Sequence, residues 1–283
     1  MLDNRETHAI WNGQSGEDWA RHQPDLDHFL AGSVQALRAL LPLAPGAKVL
    51  EIGSGAGTLS LALARDVGPR GRVLGLDVSE RLLGLSRRRA AGQGNLEFRS
   101  LDIQVQDPGV AGFDCAVSHI GMMFFSDPVT ALARLRRCLR SGARVAFNGW
   151  SGRNNPWFSL PLDVARRHLG EMPPTPPAKR PPPGPLAFAD VTYVTGILQD
   201  AGYCDCVGAQ WEVAFRHPEG LEALMRSISY VGPISTLYRL KQPDAALRAR
   251  IEAEIAAAFA PFVQPDGSVC LSAEMCFYTA TTP

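Results

Sequence analysis

The sequence lacks three features that would point to nucleic acid, a membrane or export. Its 28 basic and 28 acidic residues cancel to a formal net charge of zero, so no general positive field attracts nucleic acid or an anionic membrane. No run of about 18 apolar residues is present, and the opening MLDNRETHAI is polar where a signal peptide would be apolar. We therefore expect a cytoplasmic protein with a small-molecule partner and no nucleic-acid or membrane partner.

Cysteine is scarce and shows no metal-binding pattern. The six cysteines of the 283-residue chain include no C-x-x-C pair, and they fall largely within apolar runs. Free cysteine is among the most buried residue types in proteins. We expect buried free thiols and no metal site.

Apolar runs alternate with amphipathic segments through the first half of the chain. Five strands are predicted, at 48–53, 72–78, 95–103, 113–120 and 144–150. A helical face is predicted from Pro24 to Leu41, and Ser79 is placed to cap the helix after the second strand. Asp127 is placed to begin a helix that Gly142 would end. This alternation predicts a parallel sheet with helices on both faces and a ligand beyond the carboxyl ends of its strands.

The second half of the chain breaks this rhythm. Residues 173–185, PPTPPAKRPPPGP, cannot propagate a helix, because proline lacks the N–H and clashes with the preceding turn. We expect a stiff connector there, with a polyproline ligand for a partner domain as the alternative. The predicted organisation is an N-terminal lid over 1–30, a core over 31–150, a Pro-rich connector and cap over 151–189, and the rest of the core sheet over 190–283 with a helical insertion at 218–260.

A glycine-rich turn follows the first strand, in VLEIGSGAGTLS. Gly53, Gly55 and Gly57 form G-x-G-x-G, whereas a dinucleotide fold requires G-x-G-x-x-G and would have its third glycine where Thr58 stands. The Gly-Lys-Ser/Thr ending of a phosphate-binding P-loop is also absent. Glu51, just ahead of the turn, suits an ammonium group better than a pyrophosphate.

Acidic residues follow the second and third strands. Asp77 is placed to accept hydrogen bonds from both ribose hydroxyls of a nucleoside, a device that NAD would also use. Asp102 is suited to accept from an adenine amino group, while Val78 and Ile103 supply apolar faces for the ring. The two acidic positions and the turn together favour a nucleoside that carries no diphosphate.

These residues resemble the class I S-adenosylmethionine-dependent methyltransferases. EIGSGAG is similar to their first motif, LGLDVS to the second and RSLDI to the third. FDCAVSHIGMMFFSDP and WNGQSGEDW resemble the small-molecule branch related to quinone-biosynthesis enzymes. The resemblance covers about residues 46–150.

The resemblance implies an α/β, Rossmann-like sheet of seven strands in the order 3-2-1-4-5-7-6, its last strand antiparallel. It implies S-adenosylmethionine as cofactor and S-adenosylhomocysteine as product. Its implied cofactor-binding residues are Glu51, Gly53, Ser54, Gly55, Gly57, Asp77, Val78, Asp102, Ile103 and Ser118. Of these, Glu51 would lie near the amino end of the cofactor and Ser118 near its methionine part.

Residues that contact the acceptor are predicted from residue type and position. His119 follows the fourth strand, where it is a candidate general base or acceptor contact, with a structural histidine as the alternative. An apolar substrate pocket is expected from Trp11, Trp19, Met123, Trp150, Trp157 and Tyr230, which ordinary core packing would also explain. The basic triplet Arg87–Arg89 is interpreted as a solvated helix end and not as an RNA contact.

Three functions remain open on the sequence. The first is methyl transfer from S-adenosylmethionine to a small, apolar or aromatic metabolite. The second is a catalytically inactive S-adenosylmethionine-binding or scaffold protein. The third is an NAD-dependent oxidoreductase, against which Thr58 and Glu51 count.

Overall fold

The computed structural model of the chain describes residues 4–173 and 180–283. Seven strands form one sheet in the order β3-β2-β1-β4-β5-β7-β6. The strands are β1 Lys48–Ile52, β2 Arg72–Asp77, β3 Leu96–Ser100, β4 Phe113–His119, β5 Leu139–Trp150, β6 Cys204–His217 and β7 Val269–Thr281. Strands β1 to β5 pair in parallel, and β7 is antiparallel to both β5 and β6. The predicted order and the antiparallel last strand are confirmed.

The helices lie on both faces of the sheet and beyond its strand ends. They are α1 Arg5–Asn12, α2 Gln14–Arg21, α3 Gln23–Ala39, α4 Thr58–Val67, α5 Glu80–Arg89, α6 Pro128–Cys138, α7 Pro156–Leu169, α8 Val191–Asp200, α9 Gly220–Ile228, α10 Pro233–Lys241 and α11 Ala245–Phe259. Ser79 caps α5 by accepting from Leu82 N, and Asp127 caps α6 by accepting from Thr130 N. Both predicted caps are confirmed.

The predicted end of α6 is wrong by several residues. The helix ends at Cys138, and β5 begins at once with Leu139, so Gly142 lies inside a strand. Gly142 N donates to Thr282 O, and Leu139 of β5 pairs with Phe113 of β4. These cross-strand partners extend β5 backwards, because hydrogen bonding to neighbouring strands outweighs the local preference of glycine for a helix end.

Two further expectations can be compared with the structure. A division after residue 30 falls inside α3, which runs unbroken from Gln23 to Ala39. All six cysteines are free, as expected, but Cys204 is exposed, and only Cys115, Cys138 and Cys276 are buried. Within the predicted Pro-rich connector, residues 174–179 lie outside the described residues. No described helix is both long and apolar enough to cross a membrane.

The fold gathers the ends of four parallel strands at one edge of the sheet. Strands β1, β2, β4 and β5 end at Ile52, Asp77, His119 and Trp150. Helix α1 crosses this edge, since Asn12 Nδ2 donates to Val78 O at 2.9 Å and Thr7 Oγ1 donates to Phe124 O at 2.9 Å. The edge is therefore a covered cleft and not an open surface.

Candidate active site

A cavity of about 340 Å³ occupies this covered cleft. Its floor is the glycine turn after β1 and the residues that follow β2, β3 and β4. Its roof comes from α1, α2, α7 and α10. The volume lies near the lower end of the range of small-molecule sites, roughly 300–1,000 Å³.

The glycine turn brings backbone to the cavity wall. Gly53 has φ +68°, and a Cβ there would lie 2.8 Å from Gly121 Cα, on the loop after β4. Gly55 has φ +52°, and its N–H donates to Asp77 Oδ2 at 2.7 Å. Only glycine adopts these angles without strain and allows the two loops to touch. The turn is thus fixed both to β4 and to the predicted ribose acceptor.

Asp77 is a buried carboxylate at the cavity wall. Its Oδ2 accepts from Gly55 N, and its Oδ1 accepts from Ser79 N at 2.8 Å. A carboxylate offers about four acceptor positions, and Val78 contributes a third backbone hydrogen bond, so part of this acceptor capacity remains for a ligand. A ribose diol supplies two donors. The arrangement fits the nucleoside that the sequence predicts.

The electrostatics of the site favour a cationic ligand. The pKa of Glu51 is raised to about 8, mainly by burial and in smaller part by the nearby Asp77 carboxylate, against the hydrogen bond from Ser60 that lowers it. Burial also raises the pKa of Asp77, against the backbone hydrogen bonds that lower it. Among the described residues, no Lys, Arg or His nitrogen lies within 4.0 Å of either carboxylate. A positively charged ligand nearby would lower both pKa values and favour the ionised form of both groups.

Asp102 also lies at the cavity wall, but the N-terminal helix already occupies it. Asp102 Oδ2 accepts from Asn4 Nδ2 at 2.9 Å and is 3.0 Å from His8 Nε2. Its Oδ1 accepts from Gln104 N at 2.8 Å. With α1 in this position, an adenine amino group has one acceptor position left on Asp102, and it lies on Oδ1.

Apolar side chains that follow β2, β3 and β4 line the cavity together with Asp102, and we call this group of side chains the apolar slot. Its walls are Val78, Leu82, Leu101, Ile103 and Phe124, which all line the cavity. Trp11 closes the slot from α1, with its ring 5.0 Å from that of Phe124 in an edge-on contact. Val78 and Ile103 therefore line the cavity, and their role as apolar faces for an adenine ring stays a prediction.

Four predicted cofactor residues do not line the cavity, namely Glu51, Ser54, Gly57 and Ser118. Glu51 is 1% exposed and accepts a hydrogen bond from Ser60 Oγ. Ser54 and Ser118 are buried, and neither hydroxyl has a hydrogen-bond partner among the residues that the structure describes. Gly57 packs against the ring of Phe98. Gly53, Gly55, Asp77, Val78, Asp102 and Ile103 do line the cavity.

His119 lines the cavity at the end of β4. Its Nε2 lies 2.8 Å from Ser33 Oγ, and that hydroxyl donates to Leu30 O at 2.8 Å. Because Ser33 has one proton to donate, this network assigns the Nε2 proton to His119 and leaves a lone pair on Nδ1. Burial lowers the pKa of His119 to about 4, so the ring is neutral at pH 7.

All six residues of the predicted substrate pocket line this cavity: Trp11, Trp19, Met123, Trp150, Trp157 and Tyr230. Several of them also pack on one another or on the core. Trp157 stacks on Phe29 at 3.7 Å between ring centroids, and Tyr230 stacks on His22 at 4.7 Å. Core packing and a place in the cavity wall are therefore compatible for these side chains.

The structure adds functional candidates that sequence reasoning missed. One face of α10 brings Ser235, Thr236 and Arg239 to the cavity, and their spacing of three and four residues was the available signal. Arg89 is not simply solvated, because its Nη2 lies 2.6 Å from Asp27 Oδ2 and its Nη1 donates to Ala56 O at 3.0 Å. It ties α3 to the glycine turn.

Comparison with known proteins agrees with this geometry. A methyltransferase domain family matches residues 49–142. The chain is 33% identical over 183 residues to a ubiquinone/menaquinone biosynthesis C-methyltransferase of Cellvibrio japonicus, an alignment that covers 58% of this chain and 74% of that protein. The enzyme of the same name from Hahella chejuensis is 32% identical over 122 residues, 42% of this chain. The chain spans about half of that relative, 49%.

Solved structures share the fold at low sequence identity. Phosphoethanolamine N-methyltransferase 2 of Haemonchus contortus, in complex with S-adenosylmethionine, has a TM-score of 0.59 and 15% identity, covering 100% of this chain and 60% of that one. The cyclase SpnF has a TM-score of 0.53 and 18% identity, covering 89% and 80%. The fold is therefore shared between different reactions. The sequence relatives go further than the fold: the chain belongs to the class I S-adenosylmethionine-dependent methyltransferases, and its cofactor is S-adenosylmethionine.

Proposed function

We propose that the chain transfers a methyl group from S-adenosylmethionine to a small acceptor with an apolar or aromatic body. The observation that supports this proposal is one cavity with two chemically different walls. One wall holds the glycine turn, Asp77 and Asp102, and the other is built from Trp150, Trp157 and other aromatic side chains. The relatives named for quinone biosynthesis support an aromatic acceptor.

The first wall would bind the nucleoside. Asp77 would accept from the ribose hydroxyls, each a charge-assisted hydrogen bond worth roughly 1.5–3 kcal/mol. The turn from Gly53 to Gly57 would carry the amino-acid portion, and the slot beside Asp102 would hold the adenine. Glu51 does not line the cavity, so it would act on the cofactor's ammonium through its charge and not by contact at the cavity surface.

His119 would orient the acceptor. A hydroxyl with a pKa of about 10 cannot give its proton fully to a base with a pKa near 4, because the transfer would be uphill by roughly 8 kcal/mol. The neutral ring can accept a hydrogen bond at Nδ1 while Ser33 holds Nε2. We therefore assign His119 the orientation of an acceptor hydroxyl, with the proton released to solvent after methyl transfer.

The aromatic wall would exclude water and align the reactants. Bound S-adenosylmethionine supplies a methyl group on a good leaving group, so the protein has mainly to place the acceptor in line with it. Alignment of this kind contributes roughly 7–11 kcal/mol in favourable cases. Trp150 and Trp157, each 4% exposed, are rigid enough to hold a flat acceptor in place.

The test is a methyl-transfer assay with labelled S-adenosylmethionine and a panel of hydroquinones, naphthols and other phenols. The wild type should methylate at least one of them, and His119→Gln should lower kcat while leaving S-adenosylhomocysteine affinity unchanged. His28→Gln, an exposed histidine of α3 outside the cavity, is the matched control. Tight cofactor binding without transfer to any member of the panel would support the inactive binding protein instead.

A further inference from the structure

Helix α10 presents one polar face to a cavity whose other walls are mostly apolar. Gly232, at its N-cap, and Ser235, Thr236 and Arg239 all line the cavity. The spacing places them on one side of the helix. The buried residues Ile234, Leu237 and Tyr238 lie between them in the sequence and face the protein interior. The face toward the cavity therefore carries hydroxyl groups and a positive charge.

Arg239 is held by neutral partners. Its Nη1 donates to Ser15 Oγ at 3.0 Å, and its Nη2 donates to Thr236 Oγ1 at 3.1 Å. Within residues 4–173 and 180–283, no carboxylate lies within 4.0 Å of it. Two other arginines of the same region do have carboxylate partners: Arg226 pairs with Asp25 at 2.8 Å and Arg248 with Glu252 at 2.9 Å.

The charges of the cavity wall make Arg239 the favourable place for an anion. Among the described lining residues, it is the only lysine or arginine, whereas Asp77 and Asp102 are the only carboxylates. An anionic group on a ligand is repelled by those two carboxylates and attracted to the guanidinium. A guanidinium also matches a carboxylate with two parallel hydrogen bonds.

We propose that Arg239 binds the carboxylate of a ligand in this cavity, and this rests on the proposed function. Two ligands of the reaction can supply that group. One is the cofactor, through the α-carboxylate of its methionine part, and the other is an acceptor that carries a carboxylate on its ring. In both cases the Arg239 side chain favours a ligand that carries a carboxylate at one end of an otherwise apolar site.

The first experiment uses calorimetry with S-adenosylhomocysteine and 5′-methylthioadenosine, which shares the nucleoside and lacks the amino-acid portion. If the cofactor supplies the carboxylate, Arg239→Gln weakens S-adenosylhomocysteine binding by about tenfold or more and leaves 5′-methylthioadenosine binding unchanged. Arg239→Lys, which keeps the charge and loses the two-pronged geometry, weakens it less. Lys241→Gln, on the same helix outside the cavity, is the matched control and should match the wild type.

The second experiment titrates the S-adenosylhomocysteine-loaded protein with 4-hydroxybenzoate and with its methyl ester. If the acceptor supplies the carboxylate, the wild type prefers the acid and Arg239→Gln loses that preference. The wild type can prefer S-adenosylhomocysteine to 5′-methylthioadenosine, and 4-hydroxybenzoate to its methyl ester. The proposal is overturned if Arg239→Gln changes neither of these two preferences, or if the wild type shows neither of them. A wild type that binds no S-adenosylhomocysteine contradicts the proposed function itself, so the two failures are distinguishable.

Discussion

Replacing Glu51 with glutamine should stabilise the ligand-free protein. The carboxyl is 1% exposed, and burial is the main reason that its pKa rises from 4.5 to about 8. At pH 7 the unfolded chain ionises this group while the folded chain holds it mostly protonated. Over the 2.5 pH units between 4.5 and 7 this costs roughly 3 kcal/mol of folding free energy. Glutamine keeps the shape, retains an oxygen for Ser60 Oγ and cannot ionise.

The pH dependence of this effect has a definite sign. A folded-state pKa raised above the unfolded value gives stability that is complete below pH 4.5 and declines as the pH rises toward 8. The stability of the wild type should therefore fall relative to Glu51→Gln across this window, and the difference should level off above pH 8. Urea unfolding at a series of pH values from 4.5 to 9 measures it, with Glu222→Gln, an exposed carboxylate of α9, as the control. A variant less stable than the wild type at pH 8, or a difference that does not vary with pH, would refute the reasoning.

The same substitution tests the electrostatics of the cofactor site. An ammonium group near Glu51 lowers its pKa, so ligand binding at pH 7 should release up to about one proton from the wild type. Calorimetric titrations with S-adenosylhomocysteine in two buffers of different ionisation enthalpy count that proton. Glu51→Gln should lose this release and bind more weakly. Equal proton release in both proteins would show that Glu51 does not sense the ligand.

Three further predictions concern the remaining polar groups of the site. Asp77→Asn should raise the Kd for S-adenosylhomocysteine by about tenfold or more, and a Kd equal to that of the parent in calorimetry would remove the ribose assignment. The pKa of the His119 ring lies near 4 in the folded state, so the wild type should lose roughly 3 kcal/mol of stability as the pH falls from 6.5 to 4. His119→Gln should abolish this loss. Unfolding free energies that fall equally in both proteins over this pH range would contradict the prediction. Arg89→Ala should weaken cofactor binding several-fold, and Arg88→Ala, at an exposed position of the same helix, is the control. A double-mutant cycle of Arg89→Ala with Asp27→Asn should show coupling between the two residues. Additive effects would count against the bridge from α3 to the glycine turn.

Local chemistry made part of the site predictable from the sequence. Gly53 and Gly55 are needed where the backbone adopts positive φ, and Asp77 follows a strand whose end is readable from its apolar run. Ser79 and Asp127 mark helix starts through their own side chains. Each of these requirements acts over a few residues. The order of all seven strands, in contrast, came from the resemblance to a family and not from the pattern alone.

Features that depend on partners far away in the chain could not be predicted from the sequence. Gly142 was expected to end a helix, yet Thr282, 140 residues along the chain, draws it into β5. Arg89 belongs to a basic triplet that is usual at a helix end, and only the fold brings Asp27 to it. The same holds for Arg239, whose contact with Ser15 joins opposite ends of the chain. Spacing within one helix indicates a face, but not which neighbour that face meets.

The contact between α1 and Asp102 links cofactor binding to the position of the N-terminal helix. Asn4 and His8 fill the acceptor positions on Oδ2, so an adenine amino group must use the last position on Oδ1 or replace one of them. Exchanging one such donor for another changes little free energy, because the donor that leaves and the donor that arrives both form hydrogen bonds to the same carboxylate, of similar strength at roughly 1.5–3 kcal/mol each. The helix is also held by Thr7 and Trp11, which do not depend on Asp102. We therefore expect α1 to keep its contacts at Thr7 and Trp11 while an adenine amino group replaces one of the donors on Asp102.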